Sequence, residues 1–314
     1  MNRNLLSRGV LTAALLSAAT GAAWADGADC KVIRLSDPGW TDITATDGVA
    51  TVVTQALGYT PEVKTLSVPI GYESMKTGDI DVFLGNWMPA QQHFIDDLNA
   101  ADAIEVLNQN LSGAKFTLAV LEDMATQGVK DFADLATHGE AFDHKIYGIE
   151  PGAPANANIQ KMIDADDFGL KDWSLVESGE QAMLAQVKRA QDAGEGIVFL
   201  AWAPHPMNTE FPISYLSGGD AYFGPDYGGA QVHTLARKGW PAACPNAAKL
   251  FTQMTFGIDM ENELMGAILG GTDAAEAAAD WLQAHPEVLT PWLDGVTTLD
   301  GQPGEAAVRA ALGL

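Results

Sequence analysis

The chain has 314 residues, 47% of them hydrophobic and 18% charged, with 32 Gly and 15 Pro, so it is neither collagen-like nor low-complexity. That length holds one large or two ordinary domains with a sizeable core. With 17 Lys and Arg against 41 Asp and Glu, the formal charge is −24, which repels phosphate backbones and argues against a nucleic-acid partner.

The chain opens with basic Arg3 and Arg8, an apolar stretch over 11–19, and an A-x-A site at Ala23-Trp24-Ala25. This is the pattern of a secretory signal peptide over 1–25, with the mature, exported chain beginning at Asp26. The alternative, an uncleaved anchor, fits less well because the apolar stretch is short and ends in small residues. Export gives meaning to the two cysteines, Cys30 and Cys244. In an oxidising compartment they are expected to form one disulfide, the other reading being two unpaired buried thiols. Neither has a C-x-x-C partner that would suggest a metal or redox role.

Strand-like and helix-like stretches then alternate. Residues 31–36 read as a strand, and 44–57 as a helix with Val49, Val52, Val53 and Ala56 on one face and Gly58 as its stop. Strands follow at 62–68 and 80–84, the latter largely apolar, as a parallel strand covered on both faces should be. Further strands are expected at 116–121, 145–149, 175–177 and 197–201, with helices at 132–137, 157–165 and 180–193. The last 70 residues read as mainly helical, over 246–254, 261–269 and 273–284. Such alternation predicts an α/β protein with parallel sheets. Two Gly-containing passages, at 110–114 and 215–219, are either ordinary loops or crossings between domains. The second reading gives a discontinuous domain of 26–112 and 225–314, a domain of 113–224, and hinge crossings near 111–115 and 217–225.

Catalysis has no visible address. There is no G-x-S-x-G elbow, H-E-x-x-H, P-loop or G-x-G-x-x-G, and the six histidines lack metal-ligand spacing. No catalytic residue, metal or cofactor is therefore assigned. His205 sits close to Trp202 and reads as a solvent-facing or hydrogen-bonded loop residue. The acidic run Asp164-Ala-Asp166-Asp167 reads as a solvated helix end.

The tryptophans are more informative. Trp40 follows the first strand, Trp87 the third, and Trp202 the strand at 197–201, each beside a Pro or Gly. These are carboxyl ends of apparent parallel strands, where open α/β sheets place ligands. Three rings at one kind of address favour a binding box over simple packing, whereas Trp173, Trp240, Trp281 and Trp292 read as packing. Such a box suits a quaternary ammonium, which has no N–H to donate but whose diffuse charge fits indole faces, at about 0.5–2 kcal/mol per contact. Asp42 is the natural carboxylate, or else a first-turn acid of the following helix.

Four passages carry a resemblance: Trp40-Thr-Asp-Ile-Thr-Ala-Thr46, Asp81-Val-Phe-Leu-Gly-Asn-Trp-Met-Pro89, Tyr147-Gly-Ile-Glu-Pro-Gly152 and Tyr215-Leu-Ser-Gly-Gly-Asp220. In these the chain resembles the periplasmic choline-binding proteins of ABC importers, within the glycine betaine/proline-betaine binding group. The resemblance implies a two-domain periplasmic binding protein (a type II Venus flytrap), each domain a mostly parallel sheet flanked by helices. It closes on its ligand and docks on an inner-membrane permease. It places an aromatic box on Trp40, Trp87, Phe116 and Trp202 and a carboxylate on Asp42. Phe116 stands where the choline binders have Tyr, and Ala153 where they have Asn. Glu150 and Asn156 are further candidate contacts. The less polar pocket makes trimethylamine N-oxide and glycine betaine competitors of choline. A secreted hydrolase of choline esters is a remote alternative, and a monomer is expected.

Overall fold

Residues 26–314 are described by a computed structural model, so the signal peptide expected at 1–25 lies outside the described residues. The first strand, β1 (Val32–Asp37), buries Ile33 and Leu35 and leads into helix α1 (Thr41–Ala56). That helix starts three residues earlier than its apolar period suggests, because polar Thr41 and Asp42 form its buried first turn. Strand β2 (Thr60–Thr65) and strand β3 (Val82–Met88) flank β1 on either side, both parallel to it. Between and after them lie helices α2 (Val68–Thr77) and α3 (Gln92–Ala100).

An 18-residue strand, β4 (Ile104–Leu121), runs straight through the passage at 110–114, with register shifts at Leu111 and Ala114 where it meets the last strand. Strands β5 (Lys145–Tyr147), β6 (Ser174–Val176) and β7 (Val198–Ala203) form a second parallel group, with β5 between the other two. Short β8 (Ile213–Tyr215) pairs with the end of β4, and β9 (Gly229–Arg237) lies between β3 and β4.

Among the described residues the strand order is β2-β1-β3-β9-β4-β7-β5-β6, with β8 off that path. The sheet is mixed. Two parallel groups are joined through β9 and β4, whose pairings with each other and with β3 and β7 are all antiparallel. Helices cover the faces, and α1 is packed between the sheet and helices Ile258–Leu269 and Ala274–Ala284.

The N-terminal segment is fastened twice to the helix Pro245–Gln253. Cys30 and Cys244 are joined, with Cα atoms 5.6 Å apart. The Asp26 carboxylate accepts the backbone N–H groups of Asn246 (2.8 Å) and Ala247 (2.9 Å), satisfying donors that a helix start leaves free. No helix among the described residues is long and apolar enough to cross a membrane.

The core carries a costly group. Both carboxyl oxygens of Asp47, on α1, are buried without a partner among the described residues. Burial, helped by the negative charges of Asp37 and Asp42, pushes its pKa well above the carboxylate range. Because the folded pKa lies above the unfolded one, Asp47 favours folding most in acid, and that contribution is lost as pH rises towards the folded value. Asp47→Asn is therefore expected to gain stability over the wild type by roughly 1 kcal/mol per pH unit above the ordinary carboxylate range. Denaturant melts of both proteins between pH 5 and 8 test this, and parallel stability curves would contradict it.

Candidate ligand-binding site

The site is built from the loop between β1 and α1 outward. Asp37 ends β1, and its carboxylate accepts the Gly39 N–H (2.6 Å) and the Thr44 hydroxyl (2.8 Å). Gly39 takes φ +87°, a left-handed conformation that only Gly adopts cheaply, and this turn delivers Trp40 to the helix N-terminus. Trp40 is extended and its side chain does not cap the helix. Its indole Nε1 instead donates to Glu150 Oε1 at 2.8 Å.

Asp42 sits in the first turn of α1, 2% exposed, and accepts the Trp87 indole N–H on Oδ2 at 2.9 Å. Its Oδ1 is buried without a partner among the described residues. Burial above all, and then the charge of Glu180, raise the Asp42 carboxyl to about 7, against the bonds from Trp87 and the Ile43 backbone. The Glu150 carboxyl is likewise raised to about 7, chiefly by burial.

Trp87 lies within β3, not after it, since the strand continues to Met88. A register shift between Phe83 and Asn86 lets β3 approach α1, where a Cβ on Gly85 would stand 2.8 Å from the Ile43 side chain. On the far side of the site, Phe116 and Trp202 are register partners on β4 and β7, so their side chains share one face. The Trp87 and Phe116 ring centroids are 6.4 Å apart.

Trp40, Asp42, Trp87, Phe116, Trp202 and Ile149 line one cavity. It holds about 290 Å³ of empty space, its mouth included. Trp40 and Asp42, two positions apart, thus give one ring and one carboxylate, while the other rings come from three separate strands.

The remaining sequence candidates lie elsewhere. Asn156 is fully engaged: its Oδ1 accepts the Ile149 N–H, and its Nδ2 donates to the carbonyls of Ile149 and Glu150 and to Glu177, all at 3.0 Å. It therefore shapes the turn that carries Ile149 and Glu150 and does not line the cavity. Ala153, 2% exposed, precedes helix Pro154–Asp164 and borders a separate groove with Asn156 and Glu177. Glu150 bears on the cavity through Trp40.

His205 is 1% exposed, which removes the solvent-facing reading. Its Nδ1 accepts the Met207 N–H at 2.9 Å, and its Nε2 is 3.1 Å from Glu180 Oε1. Two residues escaped sequence reasoning. Ile149 lies in the quoted 147–152 passage but has the look of core, and Glu180 looks like any acid at a helix start. Among the described residues, no group of three or more His, Cys, Asp or Glu could hold a metal ion.

Comparison with known proteins gives the family of the chain. The profile of the substrate-binding domain of ABC-type glycine betaine transport systems, OpuAC, matches residues 31–284. An ABC-transporter choline binding protein solved in complex with choline is 53% identical, with a TM-score of 0.89, over 91% of this chain and 99% of that one. The unliganded, semi-closed form of an ABC-transporter choline binding protein, also 53% identical, gives 0.84 over 91% of this chain and 100% of that one. The glycine betaine/carnitine transport binding protein GbuC of Listeria monocytogenes is 30% identical over 165 residues, 52% of this chain and 53% of GbuC. The solved neighbours are type II periplasmic binding proteins, and all these relatives are transport binding proteins, not enzymes. The chain accordingly belongs to the OpuAC family, the substrate-binding domains of ABC-type glycine betaine transport systems.

Proposed function

We propose that the exported chain, freed of residues 1–25, captures choline or a closely related quaternary ammonium in the periplasm and delivers it to an inner-membrane ABC permease. The observation that carries this reading is the cavity lined by Trp40, Trp87, Phe116 and Trp202 around the Asp42 carboxylate. Indole and phenyl faces hold the trimethylammonium by cation–π contacts of about 0.5–2 kcal/mol each, and a few of these with the buried methyls reach micromolar affinity, about −8 kcal/mol. The first half of the molecule, 26–112 with 225–314, supplies Trp40, Asp42 and Trp87. The second half, 113–224, supplies Phe116 and Trp202, and the ligand is enclosed as the two hinge together near 111–115 and 217–225.

Asp42 Oδ1 separates choline from its competitors. A free carboxylate oxygen accepts the choline hydroxyl, whereas glycine betaine and trimethylamine N-oxide bring acceptors of their own. Those two need Asp42 protonated. The second reading, a methylamine binder of that kind, is favoured by apolar Phe116 and Ile149 in the cavity wall.

Isothermal titration with choline, acetylcholine, glycine betaine, trimethylamine N-oxide and proline tests the assignment, with choline expected to bind at micromolar or tighter. Trp87→Ala should weaken choline binding about 100-fold, equivalent to ~2.7 kcal/mol. Absence of methylamine binding, together with indifference to Trp87→Ala, would return the rings to a packing role. The pH profile gives a second test, because the Asp42 carboxyl is raised to about 7 in the free protein. Choline should bind with constant affinity above that value and lose about tenfold per pH unit below it. A ligand that accepts the Asp42 proton should show the reverse, weakening above pH 7.

A further inference from the structure

Glu180 opens helix Glu180–Ala193, yet its side chain makes no cap for that helix and lies 4% exposed. It reaches instead to the start of α1, 139 positions earlier. There its Oε2 accepts the Thr41 N–H at 2.9 Å and its Oε1 accepts the Thr41 hydroxyl. The first turn of α1 is thereby capped by a carboxylate from the opposite half of the molecule, at the end of a helix that favours negative charge.

His205 fixes that carboxylate. Because its Nδ1 accepts the Met207 N–H, the ring proton sits on Nε2 and points at Glu180 Oε1, 3.1 Å away. The same imidazole packs edge-on against Trp202, with ring centroids 4.9 Å apart. One connected path, Thr41–Glu180–His205–Trp202, therefore crosses the site from the residue between Trp40 and Asp42 to the indole on β7. A second bond, Trp40 to Glu150, runs beside it.

We propose that Glu180, oriented by His205, is a latch that holds the two halves of the molecule closed over the cavity and so sets the affinity for ligand. Glu180 is not among the residues that line the cavity; it is a positioning residue. Without it, Thr41 loses its acceptor, the α1 N-terminus is left uncapped in the closed form, and the open form, where water satisfies the same groups, gains weight. Only the affinity arm rests on the function proposed above; closure does not.

The test uses spin labels at Glu73→Cys on α2 and Asp192→Cys on helix Glu180–Ala193, both exposed, with the native cysteines already joined. Pulsed electron-spin distance measurements on the unliganded protein are expected to show a longer and broader distribution in Glu180→Ala than in the unaltered latch. Thr41→Val, which keeps the N–H donor but loses the hydroxyl, should fall between them. Choline Kd should rise at least tenfold in Glu180→Ala and about threefold in Thr41→Val, through faster dissociation. A closed population reduced tenfold weakens apparent affinity by that same factor. Unchanged distances with a lowered thermal midpoint would mark Glu180 as a packing contact and overturn the latch. The distance arm needs no ligand, so failure of the unaltered protein to bind choline counts against the proposed function alone.

Discussion

The site depends on one constraint, the burial of negative charge at the start of α1. The Asp42 carboxylate has one oxygen held by Trp87 and the other without a partner among the described residues, and the surroundings are aromatic. A buried charge so placed is tolerated because the helix terminus offers peptide N–H groups and the positive end of its dipole. It is tolerated incompletely, which is why the carboxyl holds its proton to about 7. What is left over at Oδ1 is a demand for a positive or hydrogen-bond-donating group.

The sheet explains how rings so distant in sequence come together. Trp87 stands on β3, Phe116 on β4 and Trp202 on β7, and the antiparallel run from β3 through β9 and β4 to β7 sets them side by side. Because Phe116 and Trp202 are register partners, a shift of one residue between β4 and β7 would turn one ring away from the cavity. Site geometry is therefore held by backbone pairing, while loops supply Trp40 and Ile149 and the first turn of α1 supplies Asp42.

Much of this was legible in the chain. The apolar strands around 31–36, 80–84 and 197–201 announced themselves, as did the helix at 180–193, and the tryptophans at their ends marked one address. What stayed hidden had physical reasons. The first half of β4 has polar Asn108 and Asn110 where an apolar face would be sought, yet Asn110 is buried and donates to the Leu84 carbonyl and the Thr234 hydroxyl. In β9 the buried face of Ala230, Val232, Thr234 and Ala236 mixes small and polar residues with one Val, and Leu235 on the other face is buried too, so no clean alternation marks the strand. The helix start at Thr41 was masked because its first turn is filled by polar residues whose partners lie elsewhere. Glu180 could not be identified, since an acid beginning a helix is ordinary until its bond to Thr41 is seen.

The crowding of three duties into Trp40, Thr41 and Asp42 has an evolutionary consequence. A cavity-lining ring, the bonds to Glu180 and a cavity-lining carboxylate are carried by one short stretch of backbone, so a change that alters one disturbs the other two. New ligand preferences are more readily reached from the opposite wall, where Phe116 and Ile149 meet the cavity independently and Ala153 stands just behind the turn that carries Ile149. The α1 terminus is the fixed wall of the cavity, and the strand and turn that carry Phe116 and Ile149 are the wall open to change. Anyone reshaping this cavity would cut the second wall and leave the first alone.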